Sequence, residues 1–366
     1  MTRFSQLSFK SAFFTTFALS LFITSCDAPD PEPEPYESGV VVLNAGNFFD
    51  NNGTLSFIQN RSTTVSTDIF QATNSRRLAG SMQGYNEIDG KGVILVDNST
   101  AGQDKAEIVE IGTFKSLGTL AAPDIENPRQ VVRVSANKAY ITCWGATGDF
   151  SNFYPNPGYI AVVDMASRQV VKKIPVSKGA ENMVVSGSEV LVGSVGGEKA
   201  LTVIDLNTDT VKSKVELGNN PDPIGLDATG QLWVYSAKEM IQMNAQTKAV
   251  GSRLKINTTA DRNVGNITFG RDRQNIFFGL FSYAADGTVK GETYSFTIRD
   301  ASISLATPFI RRHFSGMAVD PTDGTIYAGV TPSYKQAGYV VRYQPNDRSV
   351  KDSIRVEIAP SGFFFK

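Results

Sequence analysis

Aromatic side chains collect in stretches of this chain that are otherwise built from Gly, Asn, Ser and Pro. Trp144, Phe150, Phe153 and Tyr154 fall in WGATGDFSNFYPNPG, Phe48 and Phe49 in NAGNFFDNNG, Phe281 and Tyr283 in LFSYAADGTVKG, and Tyr334 in TPSYKQAG. Flat rings in polar loops offer contact area at small entropic cost, which is the chemistry of a binding surface. Each ring taken alone could instead pack its loop down; the collection is what points to binding. Phe153, Tyr154, Pro155 and Pro157 form a stiffened stretch able to project. Arg129, Asn182, Asp222 and His313 stand at or near the starts of apolar tracts and either add polar contacts or cap strand ends. Asp222, Asn127 and Glu181 are the oxygen donors that a calcium-dependent hydrolase would need. The chain has no G-x-S-x-G, H-E-x-x-H, phosphate loop or Cys cluster, and its one histidine rules out a multi-histidine metal site. No catalytic residue, metal or cofactor is therefore expected.

The elements that would position these residues form a repeat. A short apolar strand, a polar turn and a second strand recur as LSFIQNRSTTVSTDI from Leu55, AEIVEIGTFKSLGTL from Ala106, YIAVVDMASRQVVKKI from Tyr159 and LTVIDLNTDTVKSKV from Leu201. They continue as EMIQMNAQTKAVGSRL from Glu239, TYSFTIRDASISLA from Thr293 and YVVRYQPNDRSVKDSI from Tyr339. The copies are spaced roughly 40 to 53 residues apart, and most follow a second strand pair such as PRQVVRVS and KAYITCWG. Four strands per unit with almost no helix-period segment predict an all-β chain, a seven-bladed β-propeller. The chain enters at GVVVLNAG, which matches a second strand, and leaves through APSGFFFK, which matches an inner one. The C-terminal strand is therefore expected to close the first blade, with Phe363 to Phe365 alternating between neighbouring packing surfaces. The aromatic loops then share one face, joined across the ring mouth, and tight turns such as SANK and DATG lie on the other.

The start of the chain carries addressing information. Arg3 and Lys10 precede the apolar run SAFFTTFALSLFITS, of signal-peptide length and too short for a stable span. The run ends in ITSC, which resembles a lipobox, so Cys26 is the expected lipidated N-terminus of the mature protein. In DAPDPEPEPYES, prolines alternate with acidic residues to give a stiff, extended tether. Asp27, Asp30, Glu32 and Glu34 resemble the surface-export signal of Bacteroidetes lipoproteins. The expected organisation is a signal peptide over 1–25, a tether over 26–38 and a propeller over 39–366. Cys143, inside KAYITCWG, reads as a small buried residue. A formal net charge of -1 gives no electrostatic case for nucleic acid.

The whole mature chain resembles the YncE-like, surface-layer-type propellers of Bacteroidetes lipoproteins. GVVVLNAGNFFDNNGTLSFI is similar to their usual start, an N-E-G-N stretch followed by N-G-S-L, with Ala45 in place of the glutamate. YIAVVDMASRQVVKKI and LTVIDLNTDTVKSKV are similar to their V-x-D-x-x-T-x-x-V units. Some members are surface accessories of TonB-dependent outer-membrane transporters and capture cobalamin on the loop-rich face. The resemblance implies an outer-membrane lipid anchor, a cell-surface location, a transporter partner and a corrinoid ligand. The alternatives are a scaffold for glycan or protein, and a propeller hydrolase or lactonase.

Overall fold

A computed structural model of the chain describes Met1 and residues 33–147, 151–286 and 288–366. Cys26 and Phe150 lie outside the described residues. Met1–Pro33 separates as one unit, and all the architecture below belongs to the other, Glu34–Lys366. That unit is a seven-bladed antiparallel β-propeller. The innermost strands, taken blade by blade, are Pro360–Phe365, Ser81–Ile88, Pro128–Arg133, Ala180–Ser186, Asp222–Leu226, Asn263–Phe269 and Gly316–Val319.

The core sits between blades rather than within them, because a single sheet has two apolar faces and must cover both. In the strand Gly39–Asn44 every residue is buried. Val40 and Val42 face Tyr327, Val340 and Ile354 of the seventh blade, while Val41 and Leu43 face Met82, Ile94 and Val96 of the second. Similar alternation produces one apolar cluster at each of the seven blade-to-blade interfaces. Cys143 is buried in the cluster between the second and third blades, and burial pushes its thiol up to about 12, which leaves it inert.

The ring closes as the repeat predicts. The strand Pro360–Phe365 pairs antiparallel with Gly39–Asn44, with Phe365 opposite Val40 and Gly362 opposite Leu43. Phe364 meets Tyr85 of the second blade, with ring centroids 5.0 Å apart, while Phe363 and Phe365 meet Tyr327 of the seventh. The last residues of the expected tether share in this packing. Tyr36 sits edge-on to Phe57 and Phe114, and its N–H donates to the Gly112 carbonyl.

Five of the outer hairpins share one turn. In them Phe114, Arg168, Asp209, Lys248 and Arg348 occupy equivalent positions, all with positive φ between 53° and 64°, whereas the first blade turns differently, with its positive φ at Arg61. In the third, fourth and fifth blades an Asp or Asn that starts the turn accepts a backbone N–H two or three residues on, and in the seventh Asp347, just before Arg348, accepts the Ser349 N–H. That bond tightens the turn, and a non-glycine residue bears the left-handed strain. Replacing exposed Arg168 with glycine is expected to stabilise the domain by about 0.5–1 kcal/mol, a rise of about 1 °C in Tm. A scanning calorimetry trace with an unchanged or lower Tm would count against this account of the turn.

Two expectations need correction. The sixth blade has three strands, because ASISLA does not form a fourth. Only Ile303 is fully buried there, and the segment reattaches through a single bridge between Thr293 and Ile310. This leaves a cleft on the tight-turn side between Phe277, Phe309, Pro321 and Pro345. The first blade's outer strand is only Val65–Ser66, and the chain then enters a short helix, Ile69–Asn74. Asp68 caps it by accepting the Gln71 N–H at 3.2 Å. The spacing of Asp68 and Gln71 is the sequence signal for this helix.

Candidate ligand-binding face

Six of the inner strands carry a register shift near their loop-face ends, at Pro360/Gly362, Met82/Gly84, Pro128/Val131, Ala180/Met183, Pro223/Gly225 and Gly265/Thr268. Such bulges insert residues that leave the regular in–out alternation and re-aim side chains. Here they present Gln83, Arg129, Gln130, Glu181 and Asn182 around the channel mouth. Arg129 is the hub. Its guanidinium lies 3.3 Å from both Glu181 oxygens, donates to Gln83 Oε1 at 2.9 Å, and stands 3.7 Å from Asp97 Oδ2. It also stacks 4.1 Å over the Trp144 ring, whose indole N–H donates to Glu181 Oε2 at 2.9 Å. Tyr154 meets Trp144 edge-on at 4.9 Å. Arg129 and Tyr154 thus back the Trp144 ring without lining either cleft below, and the charge of Arg129 is already committed to neighbouring carboxylates.

A first cleft of about 590 Å³ lies over the first three blades, walled by Phe48, Phe49, Trp144 and Phe153. Its floor holds Asp97, Asp104 and Asn127. The loops that form it are tied together. Asn47 caps the short turn Phe48–Asp50 by accepting the Phe49 N–H at 3.1 Å, and Asn51 exchanges two hydrogen bonds with Ser99 at 2.8 and 2.9 Å. Asp104 accepts the N–H groups of Asn98 and Asn127 at 2.7 and 3.0 Å. Asp97 Oδ2 accepts from Gln83, but no N–H or O–H donor reaches its buried Oδ1. Burial raises the Asp97 carboxyl to about 7 against the pull of Arg129, and Asp104 and Glu181 raise it further. Asp104 is also raised, again chiefly by burial.

A second cleft of about 820 Å³ lies between the sixth and seventh blades, lined by Phe281, Tyr283, His313, Arg311, Arg312 and Tyr334 among others. Tyr283 and Tyr334 are 66% and 56% exposed, so their rings are available for contact. His313 lies against Phe281 with the rings tilted and their centroids 4.4 Å apart, and burial lowers its pKa. The loop aromatics are therefore divided between two clefts rather than joined in one cluster. Bonds from Asn47 Nδ2 to the Tyr334 carbonyl at 3.4 Å, and from the N–H groups of Ala45 and Gly46 to the Ala359 and Ile358 carbonyls, link the sides.

Asn127, Glu181 and Asp222 do not converge as a cation ring. Asn127 donates to the Gly145 carbonyl, Glu181 is held by Arg129 and Trp144, and Asp222 accepts from Asn182 at 2.7 Å. Among the described residues, no three His, Cys, Asp or Glu side chains are grouped to hold a metal ion. Asn182 and Asp222 stand on inner strands, as Arg129 does, whereas His313 belongs to the second cleft. Sequence reasoning missed Gln83, Asp97 and Asp104. Their signal is positional, one residue in a bulge and two at the ends of one loop.

No family model matches the chain, nor does any curated protein sequence. Solved structures do. A quinonprotein alcohol dehydrogenase-like protein of Bacteroides thetaiotaomicron is similar with a TM-score of 0.62 and 16% identity, over 90% of this chain and 78% of that one. A functionally unknown protein of Desulfotomaculum acetoxidans gives 0.58 at 11% identity, over 90% and 98%. Hydrazine synthase of Kuenenia stuttgartiensis gives 0.54 at 14% identity, over 76% and 88%. At these identities the likeness is one of fold.

Proposed function

We propose that this chain is a non-catalytic, lipid-anchored cell-surface module that captures a small nutrient on its loop-rich face and passes it to a TonB-dependent transporter. A corrinoid is the first ligand to test. The observation that carries the reading is the concentration of loop aromatics around two clefts on one face of a rigid ring. A wide macrocycle with amide arms needs ring contacts over a broad mouth and polar groups around its rim. Phe48, Phe49, Trp144 and Phe153 on one side, and Phe281, Tyr283 and Tyr334 on the other, supply the first. The anchor through Cys26 rests on the ITSC junction, and among the described residues no helix is long and apolar enough to cross a membrane.

The test is titration of cobalamin and cobinamide against wild type and a Phe153→Ala, Tyr154→Ala double variant. Truncating anchoring aromatics costs about 2 kcal/mol each, so affinity should fall well over tenfold while the melting curve stays in place. Tight binding that ignores the double substitution would move the site, and a wild type that binds neither corrinoid rejects this ligand. The exposure of Tyr283 and Tyr334 favours a second reading, a scaffold for glycan or protein. A panel of glycans in the same titration separates the two.

A further inference from the structure

The floor of the first cleft has more negative charge than its surroundings neutralise. Asp97 and Asp104 are 5% and 4% exposed, and Glu181 stands beside them across Arg129. Among the described residues, Arg129 is the cation within ion-pair reach of this group, and it divides one charge between Glu181 and Asp97. The next cation, Lys105, is drawn first to Glu107, which Arg76, Ser116 and Thr119 also hold. Two buried carboxyl groups side by side must keep a proton between them or receive a positive partner. Asp97 Oδ1 marks where that partner is missing: it is buried and accepts no hydrogen bond, the Asp104 carboxyl is a hydrogen-bonding neighbour of Asp97, and Asp97 lines the cleft.

We propose that this cleft recognises a protonated amine, with the ammonium N–H directed to Asp97 Oδ1 and its hydrocarbon body between Phe48, Phe49, Trp144 and Phe153. The faces of aromatic rings attract cations, and that attraction strengthens when water is excluded. A primary or secondary ammonium supplies the N–H donor that Asp97 lacks, as well as the charge. A divalent cation suits the site poorly. A calcium or magnesium ion would need six or more oxygen ligands, whereas the walls are hydrocarbon rings and, among the described residues, no three Asp or Glu side chains are grouped to hold it. Binding is non-covalent, and the proton shared by the carboxyl pair leaves to solvent as the ammonium enters. The inference rests on the loop face being a binding surface, and not on a corrinoid being bound there.

Phenethylammonium and its neutral counterpart 2-phenylethanol would be titrated calorimetrically against the whole domain. Phenethylammonium should bind at least tenfold tighter, and the indole N–H resonance of Trp144 should shift while that of core Trp233 stays in place. Asp97→Asn, and separately Asp104→Asn, should remove that preference with melting curves that still show a folded ring. Equal affinity for the two probes, or no binding of either, overturns the proposal from wild type alone, whatever the variants do. An ammonium preference that survives both substitutions overturns it too. Cobalamin titrated in parallel separates the two claims. Amine binding without cobalamin binding rejects only the corrinoid reading, and the reverse rejects only this one.

Discussion

A chain lacking 361–366 is expected to lose the stability of the whole ring rather than fray at one end. The deletion removes most of the ladder that pairs Pro360–Phe365 with Gly39–Asn44. It also removes Phe364 from Tyr85, and Phe363 and Phe365 from Tyr327, so two blade-to-blade interfaces open together. Lys366 leaves as well, and with it an ion pair to Glu87 at 3.1 Å and a backbone bond to the Gly39 carbonyl at 2.9 Å. Net hydrogen bonds contribute about 1 kcal/mol each and a partly buried Phe about 1 to 2 kcal/mol, so the loss exceeds about 5 kcal/mol. For a domain of this size that lowers Tm by about 7 °C or more and uses much of the whole stability of a typical fold. Circular dichroism melts and limited proteolysis would show it, with cleavage spreading to the first, second and seventh blades. A truncated chain that melts within a degree of wild type would mean that closure does not depend on this strand. A subtler variant tests the same seam, since a Cβ at Gly316 or Gly329 would run into the backbone of Ser361 or Pro360. Gly329→Val should therefore loosen the closing strand without shortening the chain.

The closing strand was legible because FFF after a Gly in a β-rich chain must bury on alternate sides, and only an unfilled inner position offers two such sides. The blades were legible for a related reason. Strands buried on both faces read as short apolar runs such as VILV and YIAVV, and the turns between them recur with Asp or Asn at fixed positions. What escaped were the breaks in the repeat. In the sixth blade, ASISLA alternates like its six counterparts and has as many apolar residues as the outer strands VGSRLK and VKDSIR, yet it does not pair as a fourth strand. The helix Ile69–Asn74 occupies less than two turns, and its capping pair is easily read as part of a loop. The candidate face was legible as a set of loops but not as two clefts, because nothing local says which loops lean together. The bulges hid the polar network most effectively. Arg129, Glu181 and Asp222 each stand two residues before the first apolar side chain of an inner strand, Val131, Met183 and Ile224. Strict alternation would then place all three alike, whereas the inserted residues turn Arg129 and Glu181 toward each other and Asp222 toward Asn182.

Asp222→Asn is expected to stabilise the domain at pH 8 and to leave it nearly unchanged near pH 4. Asp222 lines the channel wall, where desolvation raises its carboxyl to about 7, with the nearby charge of Glu181 adding to the effect. The Asn182 backbone N–H and side-chain amide oppose that rise, at 3.3 and 2.7 Å, without cancelling it. The unfolded chain gives up this proton near the ordinary value of 3.8, so between there and about 7 the folded state binds more protons than the unfolded one. Stability from this group therefore falls as pH rises through that window, and is flat above it. A shift of about three units corresponds to about 4 kcal/mol, and partial exposure of Asp222 to the channel reduces the expected gain to about 2 kcal/mol. Asparagine keeps the size and one acceptor oxygen but never ionises. The difference in Tm between variant and wild type should then be close to zero at pH 4, grow through pH 6 and level off near pH 8 at about 3 °C. Asp97, raised in the same range, titrates in both proteins and largely cancels from the difference. A gap that does not change with pH would show that Asp222 ionises as freely in the folded ring as in the unfolded chain. A variant less stable than wild type at pH 8 would show instead that the charge itself is what Asn182 needs to hold the fourth and fifth blades together.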